Sequence, residues 1–156
     1  MCVSEARPPA IVWAERRLRT PAQFAAVAAA RGTRAPHGAR RWLAVNCRID
    51  ETPAAGRAPS RYGLTVPKRL ARRAVDRNLV KRVAREALRA AAPALDDVAA
   101  PRDRQIDIVV RLKAPLPSVA DLPRARLKSE LRAEADALLA ALVRDLRATA
   151  GEGRRP

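Results

Sequence analysis

The sequence predicts a small single-domain α/β (α+β) sandwich, one sheet packed by helices, with elements in the order α-β-β-α-β-α. Three observations predict it. Apolar and polar residues alternate at period two over 43–49 and 61–66, and a β-branched run follows at 105–112. Helical patterns fall at about 20–30, 73–92 and 121–147, interleaved with the strands. The chain has 156 residues, which suits one domain with an adequate core.

Residues 1–15 carry Pro8-Pro9 and no periodicity, and read as a flexible N-terminal tail. The domain is expected over 16–147, with a flexible C-terminal tail at 148–156. The first helix opens on Thr20 followed by Gln23, a capping-box pattern, with Pro21 at its first position. Phe24 and Val27 share a face, and Gly32 is the expected stop. In the next strand Leu43, Val45, Cys47 and Ile49 point one way, and Trp42, Ala44, Asn46 and Arg48 the other. A loop at 50–60 leads to a strand carrying Tyr62, Leu64 and Val66 on one face. The spacing suggests an antiparallel pair joined by a long hairpin loop.

Pro67 ends that strand, and a helix is expected from Arg73 to Ala92, stopped by Pro93. A linker at 93–104 then precedes "QIDIVVRL", expected to be a central strand. Asp121 is the expected cap of the last helix, with Pro123 in its first turn. Leu127, Leu131, Ala135, Leu138, Leu142 and Leu146 form its apolar stripe.

Charge points to the partner. The chain has 32 basic and 16 acidic residues, a net charge of +16. Arginine strongly outnumbers lysine, which compositional bias can explain; the excess of base over acid it does not. A domain this cationic repels itself unless a polyanion neutralises it, and nucleic acid is the first candidate. An anionic membrane is the second. No apolar run is long enough for a signal peptide or a membrane span, and two cysteines without CxxC spacing suit a reducing cytoplasm.

The charge is ordered along the helix after Pro67. On a helical wheel Arg77, Asn78, Lys81, Arg82, Arg85 and Arg89 share one half, while Val75, Leu79, Val80, Val83, Ala84 and Ala87 fill the other. Arg77, Lys81, Arg85 and Arg89 repel one another at successive i,i+4 spacings, a few tenths of a kcal/mol per pair. Only Asp76 and Glu86 offset this nearby. A phosphate backbone relieves it, and Arg can grip phosphates bidentately. Lys68, Arg69 and Arg73 extend the patch towards the N-terminus. No helix-turn-helix, zinc knuckle or aromatic RNP pattern is present, so recognition of RNA shape and backbone is the expectation.

The stretch "RYGLTVPKRLARRAVDRNLVKRVARE" resembles the bacterial ribonuclease P protein subunit family. That family has a GLxV strand, a Lys/Arg pair and a helix reading AV-x-RN-x-x-KR-x-x-RE. Gly63, Leu64, Val66, Lys68 and Arg69 match, then Ala74, Val75, Arg77, Asn78, Lys81, Arg82, Arg85 and Glu86. "RLRTPAQF" and "DIVVR" are similar to the flanking family segments, and the likeness spans about residues 16–145. Leu79 replaces the second arginine of the RNR motif, Pro67 replaces a serine or glycine, and Leu70–Arg73 is one residue longer than in many relatives. Ala28 stands where a second aromatic is expected.

The resemblance implies an accessory protein subunit whose partner, a catalytic RNA, removes the 5′ leader of precursor tRNA using Mg²⁺ held mainly by RNA. It implies RNA binding by Lys68, Arg69, Arg73, Arg77, Asn78, Lys81, Arg82, Arg85 and Arg89, and a leader-binding cleft with Phe24 and Trp42 as candidates. It also implies a left-handed βαβ crossover. No obligate protein partner and no membrane partner are expected.

The residues offer no catalytic set of their own. His37, the one histidine, lies in a Gly/Pro/Arg stretch read as loop, and no nucleophilic triad or phosphate-binding Gly loop can be assembled. The acids of "DETP" and "LDD" read as solubilising loop residues, and no metal ligand is assigned. Two other classes remain. A structural RNA-binding protein would share the charge but not the GLxV–KR–RN order. A membrane-surface protein would need large apolar anchors where this helix has Val, Leu and Ala.

Overall fold

The computed structural model describes residues 13–30, 35–53 and 58–152. A 3-10 turn, Trp13–Arg16, leads into helix α1, Pro21–Ala29. Strands β1, His37–Ala39, β2, Leu43–Asp50, and β3, Ser60–Thr65, follow. Helix α2, Ala74–Ala99, strand β4, Gln105–Leu112, and helix α3, Arg124–Glu152, complete the domain. The expected tails at 1–12 and 153–156 and the stop at Gly32 lie outside the described residues. Trp13–Glu15, read as tail, form the 3-10 turn, and α3 runs five residues past Arg147 to Glu152.

The α1 capping box forms as the sequence predicts. The Gln23 amide donates to Thr20 Oγ1 at 3.3 Å, and the Thr20 amide donates to Gln23 Oε1 at 3.1 Å. Asp121 does not cap α3. Its carboxylate accepts from the Ser118 hydroxyl at 2.9 Å, and Pro123 directly precedes the first helical residue. A short serine turn offers that carboxylate a nearer donor than the helix amides do.

The sheet has the order β1-β2-β4-β3. β2 and β3 are therefore not a hairpin pair. β4 lies between them, antiparallel to β2 and parallel to β3, so β3, α2 and β4 make a βαβ unit. The physical reason is burial: β4 is the most continuously buried strand, covered on both faces, which favours the centre of the sheet. Edge strand β1, read as loop, places His37 opposite Asn46. Three residues are too few to show a period of two.

α2 and α3 pack together on the face carrying Val45, Cys47, Ile108 and Val110. The α3 stripe from Leu127 to Leu146 is buried there in full. α1 covers part of the opposite face, where Leu18, Val27, Val109 and Phe24 form a second cluster.

Pro93 does not stop α2, which continues to Ala99 through most of the expected linker. Pro93 is on the exposed side, as is Arg89, whose carbonyl loses its helical donor to the ring. Water can satisfy that carbonyl. Leu95, Val98 and Ala99 are buried beyond the proline, and their packing offsets the loss. Asp103, at φ 49°, then turns the chain into β4.

Candidate nucleic-acid interface

Wheel reasoning divides α2 correctly except at its start. Val80, Val83, Ala84 and Ala87 are buried and Leu79 is partly buried against the core. Val75, in the first turn, is 44% exposed. On the other side, Asn78, Arg82 and Arg89 are exposed, and Arg77, Lys81 and Arg85 are half-buried. Lys68, Arg69 and Arg73 are exposed in the turns leading into α2. All nine predicted binding residues thus lie on one helix and its approach.

Arg77 also has a local duty. Its Nη1 donates to the carbonyls of Ala71 and Arg72, both at 2.9 Å, and so ties down the approach to a helix whose N-cap, Arg73, makes no side-chain cap bond. Asp76 and Glu86 face away from the row of cations. Asp76 pairs with Arg124 at 2.7 Å and Glu86 with Arg132 at 3.5 Å, both on α3. Among the described residues, no carboxylate pairs with Lys81, Arg82, Arg85 or Arg89.

Beside this face opens a cleft of about 150 Å³. Lys81, Arg85 and Leu88 of α2 form one wall, and Trp13, Arg17, Leu18 and Phe24 line it from the N-terminal side. Tyr62, Gly63 and Leu64 of β3 make the floor. Gly63 is required by close approach: a Cβ there would lie 2.5 Å from the Phe24 ring. Phe24 both packs on Leu18 and Val27 and faces the cleft. Trp42 is not part of it. That side chain is 3% exposed in the main core with the Arg41 guanidinium 4.3 Å above its ring. Glu134 of α3 accepts the Trp42 and Leu43 amides at 3.1 and 3.2 Å and seals that end of β2.

Sequence reasoning missed the segment that walls the cleft. Arg17 bridges Tyr62 in parallel, and the Leu18 amide donates to the Tyr62 carbonyl at 2.9 Å. Trp13 stacks on Tyr62 with ring centres 5.2 Å apart, and the Arg89 guanidinium sits 5.1 Å from the Trp13 ring centre. Arg16 is buried and forks onto Asp96, Nη1 to Oδ1 and Nη2 to Oδ2, both at 2.8 Å. Ser60 Oγ donates to the same carboxylate at 2.7 Å and is hydrogen-bonded to the Tyr62 hydroxyl. The bonds to Asp96 raise the Arg16 pKa, against the opposing effect of burial. Burial raises that of the Tyr62 hydroxyl, partly opposed by its bond to Ser60. Asp96, read as a solubilising loop acid, is thus a structural partner inside α2. No local period marks Arg16, since its partner is 80 residues away.

His37 is exposed on β1. Among the described residues, no three His, Cys, Asp or Glu side chains come together to hold a metal. Among the same residues, no helix is long and apolar enough to cross a membrane.

A sequence model described as Ribonuclease P matches residues 13–139. The ribonuclease P protein components of Bordetella parapertussis and Bordetella bronchiseptica are each 41% identical to this chain over 132 residues, covering 83% of it and 94% of the relative. The solved Staphylococcus aureus RNase P protein superposes with a TM-score of 0.55 at 20% identity, over 81% of this chain and 94% of that one. That last likeness shows a shared fold.

Proposed function

Because this chain belongs to the ribonuclease P protein family, we propose that it is the protein subunit of ribonuclease P and promotes removal of the 5′ leader from precursor tRNA. The catalytic RNA docks on the cationic face of α2, with Lys68, Arg69, Arg73, Asn78, Lys81, Arg82 and Arg85 as its contacts. Arg77 orders the approach to that face, and Arg89 reaches it from above Trp13. The single-stranded leader enters the cleft between that face and Phe24. The polypeptide breaks no bond; the RNA is the catalyst, and Mg²⁺ is held mainly by RNA. The setting is the cytoplasm.

The observation that carries this reading is the continuity of two features. A row of cations without carboxylate partners among the described residues runs into a cleft with an aromatic wall. Two polyanions that must meet repel each other, and cations between them lower that repulsion. A half-buried aromatic beside them offers a face for a base, worth about 1–3 kcal/mol per stacked base. A membrane-surface role is disfavoured because the large apolar residues of α2 pack inward, with Val75 the one large hydrophobic exposed on that helix.

The test is cleavage of precursor tRNA by a bacterial ribonuclease P RNA at low Mg²⁺, with and without the protein. Stimulation that disappears in a folded Lys81→Ala/Arg85→Ala variant supports the proposal. This pair avoids Arg77, whose loss would also release Ala71 and Arg72. Tight RNA binding without stimulation by a cognate RNA would replace the proposal with a structural RNA-binding role.

A further inference from the structure

We infer that Arg16 and Asp96 are positioning residues for the cleft: with Ser60 they clamp the Trp13–Leu18 segment onto the free edge of β3 and hold one wall in register with α2. The inference rests on the reading of the cleft as the leader site.

The segment has little stability of its own. It is one four-residue 3-10 turn and a single bridge to β3. Yet it supplies Trp13, Arg17 and Leu18 to the cleft. What fixes it is the fork of Arg16 on Asp96, two bonds of 2.8 Å made with the arginine side chain only 10% exposed. A bidentate arginine fixes orientation as well as distance. Ser60 binds the same carboxylate and also the hydroxyl of Tyr62, the residue on which Trp13 stacks. The clamp therefore holds the stack from both sides, and through Trp13 it places Arg89.

Asp96 lies eleven residues beyond Arg85 on α2, roughly 16 Å along the helix axis. It does not line the cleft. Its effect on a bound strand passes through the clamped segment. This is also why the helix must continue past Pro93: a break there would take Asp96 away from Arg16.

The test uses the reconstituted holoenzyme with precursor tRNAs bearing a long leader or a single-nucleotide leader. Wild-type protein comes first. If it shows no preference for the long leader, the leader reading itself fails, whatever the variants do. Given that preference, folded Arg16→Gln and Asp96→Asn should lose it by about tenfold, mainly in KM, because a misplaced wall forfeits binding of roughly one stacked base. Affinity for the catalytic RNA alone should fall by much less than the leader preference, because Arg89 is the one cation of that face that the clamp helps to place. The Leu18 amide, bonded to Tyr62 in the intact clamp, should exchange faster with solvent. Retained leader preference in folded Arg16→Gln overturns the inference. So does an equal loss on both substrates. If Asp96→Asn fails to fold, Arg16→Lys, which keeps the charge but not the fork, should give an intermediate loss; wild-type behaviour there overturns it too.

Discussion

The Asp76 carboxylate lies 2.7 Å from the Arg124 guanidinium, so the acid in the first turn of α2 is engaged by α3 and not by the cations of its own helix. Glu86 repeats the arrangement with Arg132. The two acids nearest those cations in sequence are thus drawn towards another helix. The cationic face is left for an external polyanion.

A Lys81→Ala/Arg85→Ala variant should bind RNA more weakly and with a shallower salt dependence. Each lost phosphate contact removes about 0.7–0.9 from the slope of log affinity against log salt, so the double variant should lose about 1.5. Neither residue has a carboxylate partner among the described residues, and thermal unfolding should be nearly unchanged. Filter binding across a salt series measures the slope. An unchanged slope in the folded variant would remove these residues from the footprint.

Gly63→Ala should damage both stability and the cleft. The added Cβ would lie 2.5 and 2.7 Å from the Phe24 ring and 3.1 Å from Leu18. Overpacking of this kind costs about 1–3 kcal/mol, offset only if Phe24 swings into the cleft it lines. Denaturant unfolding should show that cost. Phe24→Ala in the same background should recover part of it while leaving leader binding impaired.

Cys47 predicts a loss of stability in alkali. Burial pushes its thiol up to about 12 from an ordinary value near 9.0, partly opposed by Arg104. Between those values the folded state keeps a proton that the unfolded state has released. Stability therefore falls as pH rises through this window. Tyr62, also raised by burial, acts in the same direction. Urea unfolding at about pH 8 and about pH 10.5 should show a steeper decline in wild type than in Cys47→Ala. Equal declines would place the effect elsewhere.

Pro93→Ala should stabilise the domain. The alanine restores an amide opposite the Arg89 carbonyl in a helix that is already continuous there. The gain expected for an exposed interior position is about 1–3 kcal/mol, read as a higher thermal midpoint. A lower midpoint would mean that the proline contributes packing of its own.

Much of the local architecture was legible because its causes are local. The Thr20–Gln23 box, the alternation through Leu43, Val45 and Cys47, and the α3 stripe each depend on neighbours within a turn or a pleat. The division of α2 into a packed and a cationic half follows from the same periodicity, as does the gathering of the RNA-binding candidates on one surface. The flanks of that reading failed where a competing contact lay outside the local window. Ser118 took Asp121 from the helix end, and burial of Leu95 and Val98 carried α2 through Pro93.

By itself, then, the sequence determined the helix faces, the strand periodicities, the charge and the family resemblance. These are properties of spacing and composition. Only the tertiary structure decided that β4 separates β2 from β3, that Trp42 is a core residue, and that Arg16 meets Asp96 beneath Trp13 and Tyr62. Each of these is a pairing between residues far apart in the chain. Their partners are chosen by which surfaces can be buried together, and a one-dimensional pattern does not encode that choice.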